Sequence, residues 1–203
     1  MESIVIVGAG EAGARAAVAL RENGFAGRVT LVGDEAHPPY ERPPLSKAAI
    51  VGEGEPLPAY ILREEHFGEA GVTHLAEARA DAIDRPGHAV VLADGRRIPY
   101  DRLLLATGAT ARRLSLPGAD EAGVLTLRRF AEAIALRGSF MPGRRIAIIG
   151  GGFIGLELAA SAVARGAMAI VIELAPRLLS RAVPTAIAAR MAARHEAAGV
   201  RIL

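Results

Sequence analysis

The sequence predicts an α/β chain built from two βαβ units, and three observations carry that reading. First, Gly8-Ala9-Gly10-Glu11-Ala12-Gly13 directly follows the apolar run Ile4-Val5-Ile6-Val7. Second, Gly150-Gly151-Gly152-Phe153-Ile154-Gly155 directly follows Ile146-Ala147-Ile148-Ile149 in the same way. Third, an acid closes the next apolar run in each case, Asp34 and Glu35 after the first and Glu173 after the second. In a Gly-x-Gly-x-x-Gly turn the first glycine allows the sharp turn, the second lets backbone approach a pyrophosphate, and the third lets helix and strand pack closely. The helix that follows offers unpaired N–H groups and a positive dipole end to phosphate. One such run can be no more than a tight turn. Two in matched settings predict two Rossmann-like three-layer nucleotide-binding units, the second expected to be incomplete at its C-terminal end. A chain that builds this device twice is expected to hold two nucleotides and to pass electrons between them.

The elements follow in order. In the first unit a helix runs from Ala14 to Glu22 and a strand from Val29 to Val32. Pro38-Pro39-Tyr40-Glu41-Arg42-Pro43-Pro44 reads as a rigid loop, because proline fixes φ and withholds an N–H. A short helix is expected near Leu45, a flexible loop over 52–58, and a helical turn from Glu64 to Ala70 capped by Gly71. Val72 to Leu75 is a third parallel strand. Ala78 to Ile83 and His88 to Leu92, flanked by Arg85-Pro86-Gly87 and Ala93-Asp94-Gly95, read as antiparallel strands. Leu103 to Ala109 reads as a buried strand ending in a small-residue turn. Residues 110–124 carry prolines, glycines and few periodic apolar positions, so the junction between a domain at 1–112 and one at 113–203 is placed there. A helix over Thr126 to Leu136 leads into the second unit, with its helix at Leu156 to Arg165 and strand at Ala169 to Ile172. A helix from Pro184 to Ala198 and a cut strand at Val200 to Leu203 end the chain.

Composition narrows the function. Of the 203 residues 51% are hydrophobic, so a sizeable core is expected and disorder is not. Aromatic residues are few, leaving aliphatic and alanine packing to fill that core. A net charge of +2 calls for no nucleic-acid partner. No stretch is long and apolar enough to span a membrane, and no signal peptide precedes the first strand, so a cytoplasmic protein is expected. The chain has no cysteine, which removes disulfides, thiolate metal sites and any redox-active dithiol from it. The five histidines show no metal-like spacing, and no metal is expected. Arginine doublets at 96–97, 112–113, 128–129 and 144–145 read as solvated surface, or alternatively as a basic docking face for an acidic partner.

The loop Tyr40-Glu41-Arg42-Pro43-Pro44-Leu45-Ser46-Lys47 adds the remaining chemistry. A reduced flavin is stabilised by nearby positive charge, and stiff prolines here present Arg42 and Lys47. Glu-Arg-Pro-Pro-Leu-Ser-Lys, so placed after a Rossmann unit, resembles the FAD-dependent ferredoxin reductases of bacterial oxygenase systems and the related apoptosis-inducing-factor proteins. Ala106-Thr107-Gly108-Ala109, the run from Gly151 to Glu157 and the run from Glu173 to Leu179 strengthen the resemblance, which extends from residue 3 to the C-terminus.

The resemblance implies FAD contacts at Gly8, Gly10, Glu11, Ala12, Gly13, Asp34, Glu35, Arg42, Lys47, Ala80, Thr107, Gly108 and Arg112. It implies NADH contacts at Gly150, Gly152, Phe153, Ile154, Gly155, Glu157 and Glu173. Lys47 and Glu157, one from each unit, would form a buried pair beside the flavin where NADH delivers its electrons. Glu173 would repel a 2′-phosphate and so favour NADH over NADPH. The implied partner is a ferredoxin- or rubredoxin-type one-electron carrier. The disulfide-reducing cousins of this family place a reactive cysteine near the stretch occupied here by Arg42 to Lys47. Members of the family are about twice this length, so the resemblance also implies an N-terminal half. A nucleotide-binding signalling protein, or a fragment without turnover, are the competing expectations.

Overall fold

The computed structural model describes residues 2–121 and 123–203. The chain folds into two compact units: Met1–Arg42 with Ala59–Thr110, and Pro43–Pro58 with Ala111–Leu203.

In the first unit β1 (Ser3–Val7), β2 (Arg28–Val32), β3 (Val72–Leu75) and β7 (Arg102–Leu105) form a parallel sheet of order β3-β2-β1-β7. Successive side chains of a strand point to opposite faces, and β1 uses both. Ile6 joins Leu31, Val29 and Ala17 of α1 (Glu11–Glu22) in one core. Val5 and Val7 join Val32, Val90 and Leu92 in the other. That second core lies under an antiparallel sheet of β4 (Ala80–Asp84), β5 (Ala89–Leu92) and β6 (Arg97–Pro99). Continuous apolar strands are what a parallel sheet covered on both faces requires. The first unit therefore has three layers.

The second unit contains α2 (Ala48–Val51), α3 (Phe130–Ser139), α4 (Phe153–Ala164), α5 (Thr185–Ala197) and a parallel sheet of β8 (Arg145–Ile149), β9 (Met168–Ile172) and β10 (Arg201–Ile202), in the order β10-β9-β8. Ile148, Ala169 and Val171 pack with Leu156, Ala159 and Ala162 of α4, and Leu136, Phe140 and Ile50 complete this core. The opposite face of the same strands carries Ile149, Met168 and Ile172, all exposed.

Several expectations change. Both fingerprint helices begin earlier than expected, at Glu11 and Phe153, directly after the second glycine. α3 begins at Phe130 and not at Thr126, because the Glu132 carboxylate accepts the N–H groups of Arg128 (2.5 Å) and Arg129 (2.9 Å) and holds that lead-in outside the helix. β6 is a strand that the reading of the sequence missed. Leu104 and Leu105 are 39% and 57% exposed and not buried; among the described residues β7 pairs with β1 alone and ends the sheet. Pro43 and Pro44, read from the sequence as the end of a rigid loop, instead begin a 3₁₀ turn, Pro43–Ser46. Proline's φ suits a first helical turn, where its missing N–H costs nothing.

The segment 43–58, read from the sequence as part of a 1–112 domain, packs with the second unit. Two arginines hold it there. Arg137 donates to the carbonyls of Ile50 (2.9 Å), Gly52 (2.8 Å) and Gly54 (3.0 Å), and Arg165 donates to Ile50 O (3.3 Å) and Phe140 O (3.0 Å). The chain leaves and re-enters the first unit through a Tyr40–Tyr60 bridge, closed by Glu41 N–H to Ala59 O and Ile61 N–H to Pro39 O.

Candidate functional site

Each unit presents a glycine turn at the C-terminal ends of its parallel strands, where open α/β sheets bind ligands. In the first unit Gly8 has φ +115, and a Cβ there would lie 2.1 Å from Ala106 O. A Cβ on Gly13 would lie 1.9 Å from Gly8 O. Both glycines are thus required by the protein itself. Gly10 differs: its φ is −87, and a Cβ would meet nothing within 4 Å. It caps α1 without any side-chain hydrogen bond. The open space above it and the uncapped first turn, with the N–H groups of Glu11 and Ala12, form a cradle that suits a pyrophosphate.

The other residues expected around a first nucleotide gather at the same strand ends. Asp34 and Glu35 follow β2, and Gly8 N–H donates to Val32 O at 2.8 Å. Thr107 and Gly108 follow β7. Ala78 N–H to Gly33 O (2.7 Å) and Glu77 N–H to Glu35 O (3.1 Å) bring the approach to Ala80 alongside. Glu35 and Arg42 pair with each other at 2.6 Å, and the hydroxyl of buried Tyr40 donates to Glu35 at 2.5 Å and contacts Arg42. The Arg42 guanidinium lies over the Tyr40 ring. Arg42 is therefore fixed by its neighbours, as a residue presenting charge to a ligand needs to be. Lys47 and Arg112 fall in the second unit.

The second turn repeats the first. Gly150 N–H donates to Ile172 O at 2.8 Å, a Cβ on Gly155 would lie 2.0 Å from Gly150 O, and Gly152 caps α4 with open space around it and no side-chain cap. Phe153 and Ile154 open α4, and both are exposed. One exchange separates the units. Val7 pairs with Val32 and Ile149 with Ile172, so Gly33 and Glu173 occupy equivalent positions. A Cβ on Gly33 would strike the Ala9 side chain at 2.5 Å. In the second unit residue 151 is glycine, which makes room for the acid. Glu173 accepts Gly151 N–H at 2.7 Å and Ala175 N–H at 2.8 Å. These two backbone bonds, Ala175 first, hold its carboxyl below the usual carboxylate range.

Lys47 and Glu157 meet at 2.8 Å, and both belong to the second unit. The expectation that they come from different units is therefore corrected, because the 43–58 segment travels with α4. Nor is the pair deeply buried: the Lys47 side chain is 51% exposed and that of Glu157 31%. Burial is the largest single influence on the Glu157 carboxyl and pushes it upward. Hydrogen bonds from Lys47 and Ser46, with the lysine's charge, outweigh it and hold the group below its ordinary value. Ser46, which donates to Glu157 at 2.5 Å, and Ser161, which donates to Ser46 O at 2.7 Å, were not singled out from the sequence. Only the Pro-Pro-Leu-Ser-Lys spelling hinted at Ser46. Among the described residues no group of three His, Cys, Asp or Glu gathers as metal ligands, and no helix is long and apolar enough to cross a membrane.

Two glycine cradles at parallel strand ends define an α/β protein with two dinucleotide-binding units. Residues 2–203 match the pyridine nucleotide-disulphide oxidoreductases, and the chain belongs to that family. It is 43% identical over 202 residues to the p-cumate 2,3-dioxygenase system ferredoxin–NAD(+) reductase component of Pseudomonas putida, covering 100% of this chain and 50% of that protein. It is 42% identical over 202 residues to the probable ferredoxin reductase CtmF of Castellaniella defragrans, covering 100% of this chain and 49% of the relative. The crystal structure of the ferredoxin reductase for the CYP199A2 system from Rhodopseudomonas palustris superposes with a TM-score of 0.95 at 41% identity, over 100% of this chain and 50% of that one. The chain spans about half the length of the curated relatives it matches.

Proposed function

We propose that this chain is the nucleotide-binding part of an FAD-dependent, cytoplasmic reductase that takes an electron pair from NADH and passes single electrons to a ferredoxin- or rubredoxin-type carrier. The observation that carries this is the presence of two open, uncapped glycine cradles in one chain, at Gly10 and Gly152. The relatives named as ferredoxin reductases support it, as does the absence of any cysteine that would direct electrons to a dithiol.

In this reading the cradle of Gly8, Gly10 and Gly13 takes the FAD pyrophosphate, with Asp34 or Glu35 toward the adenosine ribose. Gly150, Gly152 and Gly155 take that of NADH, with Glu173 toward its ribose. When bound, the flavin supplies the change from two-electron to one-electron chemistry. The protein's part is orientation and electrostatics. Lys47 carries a positive charge of the kind a reduced flavin favours, and within its own unit Glu157 holds that lysine at 2.8 Å. Glu173 keeps its charge through its backbone bonds and disfavours a 2′-phosphate.

The test is reconstitution with FAD, of this chain and of a fusion supplying the remaining half of a relative. Flavin retained by the fusion and bleached anaerobically by NADH, faster than by NADPH, supports the reading. A fusion that binds no flavin, or whose flavin NADH leaves oxidised, overturns it.

A further inference from the structure

Two donors converge on one oxygen of Glu157. Ser46 Oγ lies 2.5 Å and Lys47 Nζ 2.8 Å from Oε2. The donors differ in kind. Lys47 is a point charge on a flexible stem, half exposed, and an exposed ion pair imposes little geometry by itself. Ser46 is buried and has a single side-chain rotor. Its hydroxyl has one proton and two acceptors in range. The carboxylate at 2.5 Å takes that proton in preference to Pro43 O at 3.4 Å.

The serine is itself held. Its carbonyl accepts the hydroxyl of Ser161 at 2.7 Å, and Ser161 is buried on α4. Ser161 lies four residues beyond Glu157, so both face the same way from one helix. That helix therefore carries the acid and also the hydroxyl that locks the acid's donor. We propose that Ser46, locked by Ser161, is a positioning residue: it fixes Glu157 Oε2, and through that shared oxygen it fixes where the Lys47 ammonium stands. The assignment rests on the reductase reading above for its purpose, but not for its geometry.

The experiment is an NMR titration of the Glu157 side-chain carboxyl in the ¹³C-glutamate-labelled 203-residue chain, without nucleotide. In the unsubstituted chain Glu157 titrates below the ordinary carboxylate range. Ser46→Ala raises its midpoint, Ser161→Ala raises it less, and Ser46→Thr, which keeps a hydroxyl, restores it. If Ser46→Ala fails to fold, Ser161→Ala decides alone. A midpoint unmoved in every folded alanine variant overturns the proposal. In the fusion described above, normal flavin reduction by NADH with an unmoved titration overturns only the positioning role. An unsubstituted fusion that NADH cannot reduce overturns the reductase reading, while a moved titration in the substituted 203-residue chain still supports the positioning role.

Discussion

The glycines of the first turn do different work, and replacing two of them one at a time separates that work. Gly13→Ala places a methyl 1.9 Å from the Gly8 carbonyl oxygen, where ordinary contact begins at 3.4 Å. Helix α1 must withdraw from β1 by roughly 1.5 Å, loosening Ala17 from the core it shares with Ile6 and Leu31. Overpacking of this kind costs about 1–3 kcal/mol, and a rigid backbone oxygen places this site toward the upper end. Gly10→Ala meets no protein atom within 4 Å, and its φ of −87 suits any residue. A smaller unfolded-state entropy favours the alanine and a poorer N-cap disfavours it, so stability should move by less than about 1 kcal/mol. The methyl instead occupies the cradle, and loss of even one charge-assisted bond to phosphate, about 1.5–3 kcal/mol, weakens binding by roughly tenfold or more. Urea unfolding followed by circular dichroism and FAD binding followed by fluorescence give both numbers. Equal destabilisation by the two substitutions, or undiminished FAD binding by Gly10→Ala, would refute the reasoning.

Three further outcomes are expected. Because the Lys47–Glu157 pair is partly exposed, a double-mutant cycle on urea unfolding should give a coupling of about 0.2–1 kcal/mol, and not the 3–5 kcal/mol of a deeply buried pair; a coupling of zero would return Lys47 to the solvated surface. His74 is 2% exposed at its side chain and stacked on Phe67, and burial, against the weaker opposing pull of Glu64, lowers its pKa. Its folded pKa lies below the unfolded value of about 6.5, so stability is unaffected above that pH and falls as pH drops from there toward the folded pKa; His74→Gln should flatten the loss of urea midpoint between pH 7.5 and 5.5, and an unchanged slope would sink the assignment. Glu173→Ala, in the fusion, should narrow the preference for NADH over NADPH and, by freeing Gly151 N–H, weaken NADH binding as well; a preference that survives intact would show that another residue sets it.

How much of this was legible beforehand depends on the range of the forces involved. Glycine turns, apolar strands and helix periodicity are local, so both βαβ units and both cradles could be read from the chain. Gly8 and Gly13 are glycine because of backbone a few residues away or on the neighbouring strand, and the motif spells that need. The contacts of Arg137 and Arg165 could not be read, because backbone carbonyls accept without regard to residue type.

The sequence by itself determined the two glycine turns in their βαβ settings and the acids at their strand ends, since each follows from residue identity at short spacing. Tertiary structure alone decided that residues 43–58 belong with the second unit, that the expected Lys47–Glu157 pair lies within that unit and partly exposed, and that Ser46 and Ser161 hydrogen-bond beside it. Those contacts join residues about 110 positions apart. Their energies come from which surfaces the folded chain buries together, and no local pattern records that.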